Sequence, residues 1–121
     1  MAVFSAAVAA TGNPVQAKES KRLEPGLETV ALSDLPREAQ TTYRLILAGG
    51  PFPHRQDGVV FGNRERILPV KARGWYHEYT VKTPGSRDRG ARRMVCGGNP
   101  ATRPDICFYT DDHYASFKQV R

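Results

Sequence analysis

Apolar and polar residues change their rhythm along this chain, from helical spacing before Gly49 to strand spacing after Pro51. Leu35, Ala39, Tyr43, Ile46 and Leu47 fall on one face of a helix, which predicts an α-helix over Ser33–Ala48. Ser33 or Asp34 can cap its start, Pro36 suits the first turn, and Glu38 lies near the positive end of the dipole. Gly49-Gly50 ends it. Val59–Phe61, Trp75–Val81, Arg92–Cys96, Ile106–Tyr109 and Ser116–Val120 are short runs rich in β-branched and aromatic residues. Asp57-Gly58, Pro69, Pro84-Gly85 and Gly97-Gly98-Asn99-Pro100 punctuate them, which predicts a small antiparallel sheet. A helix first and strands afterwards is the order of an α+β domain.

The chain before the helix has a different character. Met1–Ala17 is rich in Ala and Val, and Val8-Ala9-Ala10 and Val15-Gln16-Ala17 resemble small-residue cleavage sites of a secretory signal. The basic n-region of such a signal is missing, so a disordered or packed N-terminal arm is the alternative. Lys18–Thr29, charged and carrying Pro25-Gly26, reads as a linker. The expected organisation is therefore a segment over 1–29 and one domain over 30–121. No run approaches the 18 or so apolar residues of a spanning helix.

Lys and Arg outnumber Asp and Glu by 18 to 12, a formal net charge of +6. That favours a polyanion partner, with RNA or DNA ahead of a membrane, because no amphipathic basic helix is visible. Strand alternation puts Trp75, His77 and Tyr79 on one face, and Tyr76, Glu78 and Thr80 on the other. A carboxylate inside an aromatic strand is unusual. Its company is basic: Arg87, Arg89, Arg92 and Arg93 occupy the next turn and strand. His113 follows Asp111-Asp112, and flanking acids favour a protonated imidazole. A carboxylate and an imidazole can serve as general base and general acid, and arginines suit a phosphate whose charge grows in a transition state. In Asn63-Arg64-Glu65, a Glu carboxylate can accept both hydrogen bonds of the guanine N1–H and amino edge, which adenine lacks; Phe61 or Tyr114 could stack on the base. Cys96 and Cys107 flank a Gly/Pro-rich loop, so a hairpin disulfide and two buried thiols both remain open.

Taken in order, these strings resemble the microbial guanyl-specific ribonucleases, the family of barnase, binase and their actinobacterial extracellular relatives, and lie closer to the actinobacterial branch. The resemblance runs from about Leu32 to Val120. Gly50-Pro51-Phe52-Pro53, Asp57-Gly58-Val59-Val60-Phe61, Asn63-Arg64-Glu65, Tyr76-His77-Glu78-Tyr79-Thr80-Val81, Arg87-Asp88-Arg89-Gly90, Arg92-Arg93 and Asp112-His113-Tyr114 carry it. It implies one main N-terminal helix packed on a twisted antiparallel sheet of about five strands. By position, Glu78 matches the catalytic glutamate, His113 the catalytic histidine, and Arg89 and Arg93 the phosphate-binding arginines. Glu65 matches the guanine-binding glutamate, Asn63 and Arg64 the rest of the base loop, and Tyr114 the aromatic beside the site; Phe61 and Arg87 complete the expected substrate contacts. No metal and no cofactor are implied.

The chain departs from the family's pattern in three features. Gly62 stands where close relatives carry a longer polar residue. With no cysteine before Cys96, the bridge that ties the termini of some relatives cannot form, and the longer Gly97–Asp105 loop favours a local Cys96–Cys107 replacement. The expected protein is a secreted, monomeric, guanine-preferring endoribonuclease. Its substrate is single-stranded RNA, and a barstar-like acidic inhibitor is the expected protein partner. A non-catalytic basic RNA-binding module is the competing class, and Glu78 discriminates against it, because a carboxylate among arginines repels the phosphate of a passive ligand. The same chemistry used as an antibacterial toxin reads identically in sequence.

Overall fold

Residues 23–121 are described in a computed structural model of the protein. The signal-like stretch expected over 1–17 lies outside them. Strand β1 is Glu28–Val30, followed by a 3-10 turn at Leu32–Asp34 and helix α1 at Arg37–Ala48. Strands β2 (Tyr76–Thr80), β3 (Arg93–Gly97), β4 (Ile106–Thr110) and β5 (Lys118–Val120) come after a long irregular segment. They form one five-stranded sheet in the order β1-β5-β4-β3-β2.

β2 to β5 pair antiparallel in chain order, as the turn-punctuated runs predict. The sheet is nevertheless mixed. β1 pairs parallel with β5, with Glu28 opposite Lys118 and Val30 opposite Val120. The expected all-antiparallel sheet is corrected at this edge. Glu28 and Thr29, which read as linker, belong to a strand because the last strand of the chain offers them an open edge. Val59–Phe61, expected as a strand, makes only an isolated bridge, Val60 to His77. Backbone bonds from Gly58 and Phe61 to the carbonyls of Glu78 and Tyr76 hold it loosely along β2.

α1 starts later than the capping signals suggest. Pro36 is its N-cap, with no side-chain cap bond from Ser33 or Asp34. Gln40 Nε2 instead reaches back to the Leu35 carbonyl at 3.0 Å. Gly49 closes the helix at φ 81, a left-handed conformation that suits glycine, and the Gly50 N–H returns to the Leu45 carbonyl. Ala39, Thr42 and Ile46 are buried, while Leu47, expected on the apolar face, is 46% exposed. Leu47 follows Ile46 by one residue and so turns about 100° away from it. Thr42 takes the remaining inward place and donates its hydroxyl to the Thr80 carbonyl at 2.9 Å, pinning α1 to the end of β2.

Two hydrophobic clusters sandwich the sheet. On the helix side, Ala39 and Ile46 meet Tyr79, Met94, Tyr109 and the cysteine pair. On the other side, Leu68 from the irregular segment meets Tyr76, Val95, Phe108 and Phe117. Truncating a fully buried core residue such as Ile46 or Phe108 to Ala would cost about 2–5 kcal/mol. Cys96 and Cys107 sit directly opposite each other on β3 and β4 and are joined as a disulfide.

Candidate active site

The register of the sheet lays out the site. Glu78, Val95 and Phe108 are cross-strand partners, and the next same-face row is Thr80, Arg93 and Thr110. Glu78 and Arg93 are thus diagonal neighbours on the face away from the helix. Antiparallel partners point to the same side, so this follows from register alone.

Three side chains converge on Glu78 Oε1, two by hydrogen bonds and one by charge alone. The Tyr114 hydroxyl donates to it at 2.5 Å, Arg89 Nη2 lies at 3.5 Å and Arg93 Nε at 3.9 Å. The Arg93 side chain is 3% exposed, against 17% for Glu78 and 22% for Arg89, so Arg93 is the part of the cluster most dependent on a counter-charge. Its Nη1 donates to the carbonyls of Gly90 and Arg92 at 2.9 and 2.8 Å, while its Nε is buried without a hydrogen-bond partner. Arg89 is braced by a 2.9 Å bond from its Nε to the Thr80 hydroxyl. Gly90, at φ 68, presents the carbonyl that holds Arg93, and a Cβ there would collide with the Thr83 hydroxyl. Burial first, and then the bond to the Glu78 carboxylate, push the Tyr114 hydroxyl up to about 12, so it stays a donor.

His113 and Tyr114 leave β4 in left-handed backbone, φ 58 and 74, a conformation that a bulky residue like Tyr adopts rarely. A hydrogen-bonded turn imposes it. The Thr110 hydroxyl donates to Asp112 Oδ1 at 2.7 Å and accepts the Tyr114 N–H at 3.1 Å. Asp112 also accepts the Ser116 N–H at 2.9 Å and its hydroxyl at 2.6 Å. The His113 N–H donates to the Ala91 carbonyl at 3.0 Å, which fastens the turn to the arginine segment. The acid that sequence puts beside His113 therefore builds the turn, and the bonds from Ser116 and Thr110 hold Asp112 down at about 2. The imidazole itself is exposed, its ring 4.8 Å from that of Tyr114.

The base loop lies along the same edge. Asn63 is left-handed at φ 53, and its side-chain amide spans the loop: Nδ2 donates to the Leu68 carbonyl at 2.9 Å, and Oδ1 accepts the Leu68 N–H at 3.2 Å. That internal clamp fixes the backbone of 63–66 and leaves Arg64 and Glu65 exposed. Phe61 packs on Tyr114 with ring centroids 5.0 Å apart, joining the loop to the Glu78 cluster.

Glu78, Arg89, Arg93, Tyr114 and Phe61 are brought together, with His113 next in chain to Tyr114. The four arginines divide. Arg87 is exposed in the turn, and Arg92, one residue out of phase with Arg93, lines a concavity with Val30 and Tyr109. Thr80 and Thr110 are supporting residues that motif reading missed; their place in the row of Arg93 was readable from alternation for Thr80 but needed the cross-strand register for Thr110. Among the described residues, no three His, Cys, Asp or Glu side chains converge on a common metal position.

Comparison with known proteins agrees with this geometry. A family model described as ribonuclease matches residues 16–121. Guanyl-specific ribonuclease St of Saccharopolyspora erythraea is 58% identical over 93 residues, covering 77% of this chain and 87% of that protein. Guanyl-specific ribonuclease Sa of Kitasatospora aureofaciens is 56% identical, covering 76% and 92%. Among solved structures, ribonuclease Sa2 in complex with mononucleotides superposes with a TM-score of 0.74 at 48% identity, over 81% of this chain and 97% of that one. Ribonuclease Sa2 with guanosine-2'-cyclophosphate superposes at 0.72, with 47% identity over 79% and 97%.

Proposed function

The chain belongs to the microbial guanyl-specific ribonuclease family, and from that premise we propose how its own residues cleave RNA after guanosine. The observation that carries the proposal is the Glu78 carboxylate, facing Arg89, Arg93 and the Tyr114 hydroxyl on one sheet face. The guanine edge pairs with the Glu65 carboxylate and with backbone amides of the loop that Asn63 holds rigid. Phe61 and Tyr114 provide aromatic surface for the base, and Arg64 and Arg87 add exposed positive charge around the substrate.

Glu78 takes the proton of the ribose 2'-OH as that oxygen attacks the adjacent phosphorus. The bond from phosphorus to the 5'-oxygen breaks, and His113 gives that oxygen a proton. Arg89 and the unpartnered Nε of Arg93 stabilise the charge that builds on the phosphoryl oxygens. The product is a 2',3'-cyclic phosphate. Water then opens it with the roles of Glu78 and His113 exchanged, leaving a 3'-phosphate. Every proton moved belongs to a side chain, the substrate or water, so the steps call for no cofactor.

The domain is taken to begin with β1 at Glu28, two residues before the expected boundary. Secretion is the proposed localisation, supported by the Cys96–Cys107 disulfide, which persists in oxidising compartments. The enzyme is proposed to act as a monomer. A barstar-like acidic inhibitor is its proposed protein partner, since an acidic face would meet the same arginines that hold phosphate. Cleavage of GpC against ApC in EDTA, with the products resolved, tests the function. Faster GpC turnover through the cyclic phosphate is expected. Salt-sensitive RNA binding without turnover would replace the enzyme with a passive binding module.

A further inference from the structure

One concavity outside the Glu78 cluster shares Phe61, Asn63 and Arg64 with the base loop and extends beyond it to Val70, Lys71 and Arg73, which the reaction above does not use. It lies behind the base loop, encloses about 610 Å³, and is lined by Arg64, Arg66, Lys71 and Arg73 with no acidic residue among its lining. Four cations around one opening repel one another unless an anion joins them. The concavity is not purely ionic. Phe61 lines it, Val70 stands 64% exposed at it, and Lys71 Nζ rests 5.0 Å over the Trp75 ring. Cations beside exposed apolar and aromatic surface fit a nucleotide, with its phosphate on the cations and its base on the apolar side. The loop that presents Arg66 is stiff: the Arg66 N–H closes onto the Asn63 carbonyl at 2.9 Å.

Position restricts which nucleotide this is. Glu78, Arg89, Arg93 and His113 are all absent from the lining, so the scissile phosphate does not sit here. Phe61 is shared, because its ring also packs on Tyr114 beside Glu78, so the two sites adjoin across that ring. A guanosine that sends its 3'-phosphate to Glu78 and His113 sends its 5'-oxygen away from them. We propose that this concavity is a subsite for the nucleotide on the 5' side of the recognised guanosine, with its phosphodiester held by Arg66, Lys71 and Arg73. The proposal rests on the ribonuclease reading above and extends it to longer strands.

The test compares kcat/KM for GpC, ApGpC and GpCpA in the parent and in a Lys71→Gln/Arg73→Gln variant, which leaves the base loop untouched. Both side chains are exposed, so the variant should fold; thermal unfolding verifies this. In the parent, ApGpC should exceed GpC by about tenfold, and the variant should lose that gain while keeping GpC within about twofold. Intact GpC turnover with no gain for ApGpC, a gain that survives in the variant, or a gain confined to GpCpA overturns the subsite. Absence of GpC turnover in the parent overturns the ribonuclease reading, and the subsite with it.

Discussion

Glu78→Gln separates the roles of this carboxylate because it removes the charge while nearly preserving the shape. Three effects follow from the geometry. On the proposed mechanism the change removes the general base, which should lower kcat by about 10²–10⁴-fold, or about 3–5 kcal/mol of barrier. Stability should fall too. Arg89 and Arg93 lie 3.5 and 3.9 Å from Glu78 Oε1, where unit charges at an effective dielectric near 20 attract by about 4 kcal/mol before desolvation is subtracted. Partial exposure of Glu78 and Arg89 and the long separations cut this down, and a net loss of about 1–3 kcal/mol is expected. Most of that loss is the cost of leaving the Arg93 guanidinium buried without its counter-charge. Guanosine 3'-phosphate, in contrast, should bind as well or better, because both arginines are released to the phosphate. Single-turnover cleavage of GpC, titration calorimetry with guanosine 3'-phosphate, and urea unfolding measure the three effects. A rate loss below tenfold removes Glu78 as the base. A rate loss matched by an equal loss of affinity makes it a binding residue instead.

Three further outcomes are expected. Glu65→Ala should erode the preference of GpC over ApC with little change in ApC turnover; an unchanged ratio would take guanine recognition away from Glu65. The disulfide closes a loop of sequence separation 11, so Cys96→Ala/Cys107→Ala should lose about 3 kcal/mol and about 10–20 °C in Tm, and equal melting of parent and variant would show that the bridge contributes nothing. Asp112 is lowered from 3.8 to about 2 in the fold, so the unfolded chain takes up its proton first as pH falls, and the stability it contributes is full above pH 4 and lost toward pH 2. The stability gap between the parent and Asp112→Asn should therefore be constant above pH 4 and narrow below it; a gap independent of pH would refute the turn role of the ionised carboxylate.

Much of this protein is determined by local sequence. Side-chain alternation in Tyr76–Thr80 puts Glu78 on the face opposite Tyr79, and Gly49 ends α1, because both depend on backbone period and local sterics alone. The left-handed turn at His113-Tyr114 is encoded nearby as well, by Thr110, Asp112 and Ser116, whose hydroxyl and carboxylate groups bond to their own neighbourhood.

Tertiary structure decided the rest. Glu28–Val30 has too little pattern to read as a strand and becomes one only because β5 presents an unpaired edge some ninety residues later. Val59–Phe61 has the pattern and stays a single bridge. Arg87, Arg89, Arg92 and Arg93 look alike in sequence. Cross-strand register turns Arg93 toward Glu78, the Thr80 hydroxyl braces Arg89 there, and Arg92 faces away. The cysteine pairing is of the same kind, since Cys96 and Cys107 are joined because β3 and β4 align them. Residue type and period set what each segment can do. Which long, charged side chains share one carboxylate depends on pairing between distant segments, and that energy exists only once the sheet has closed.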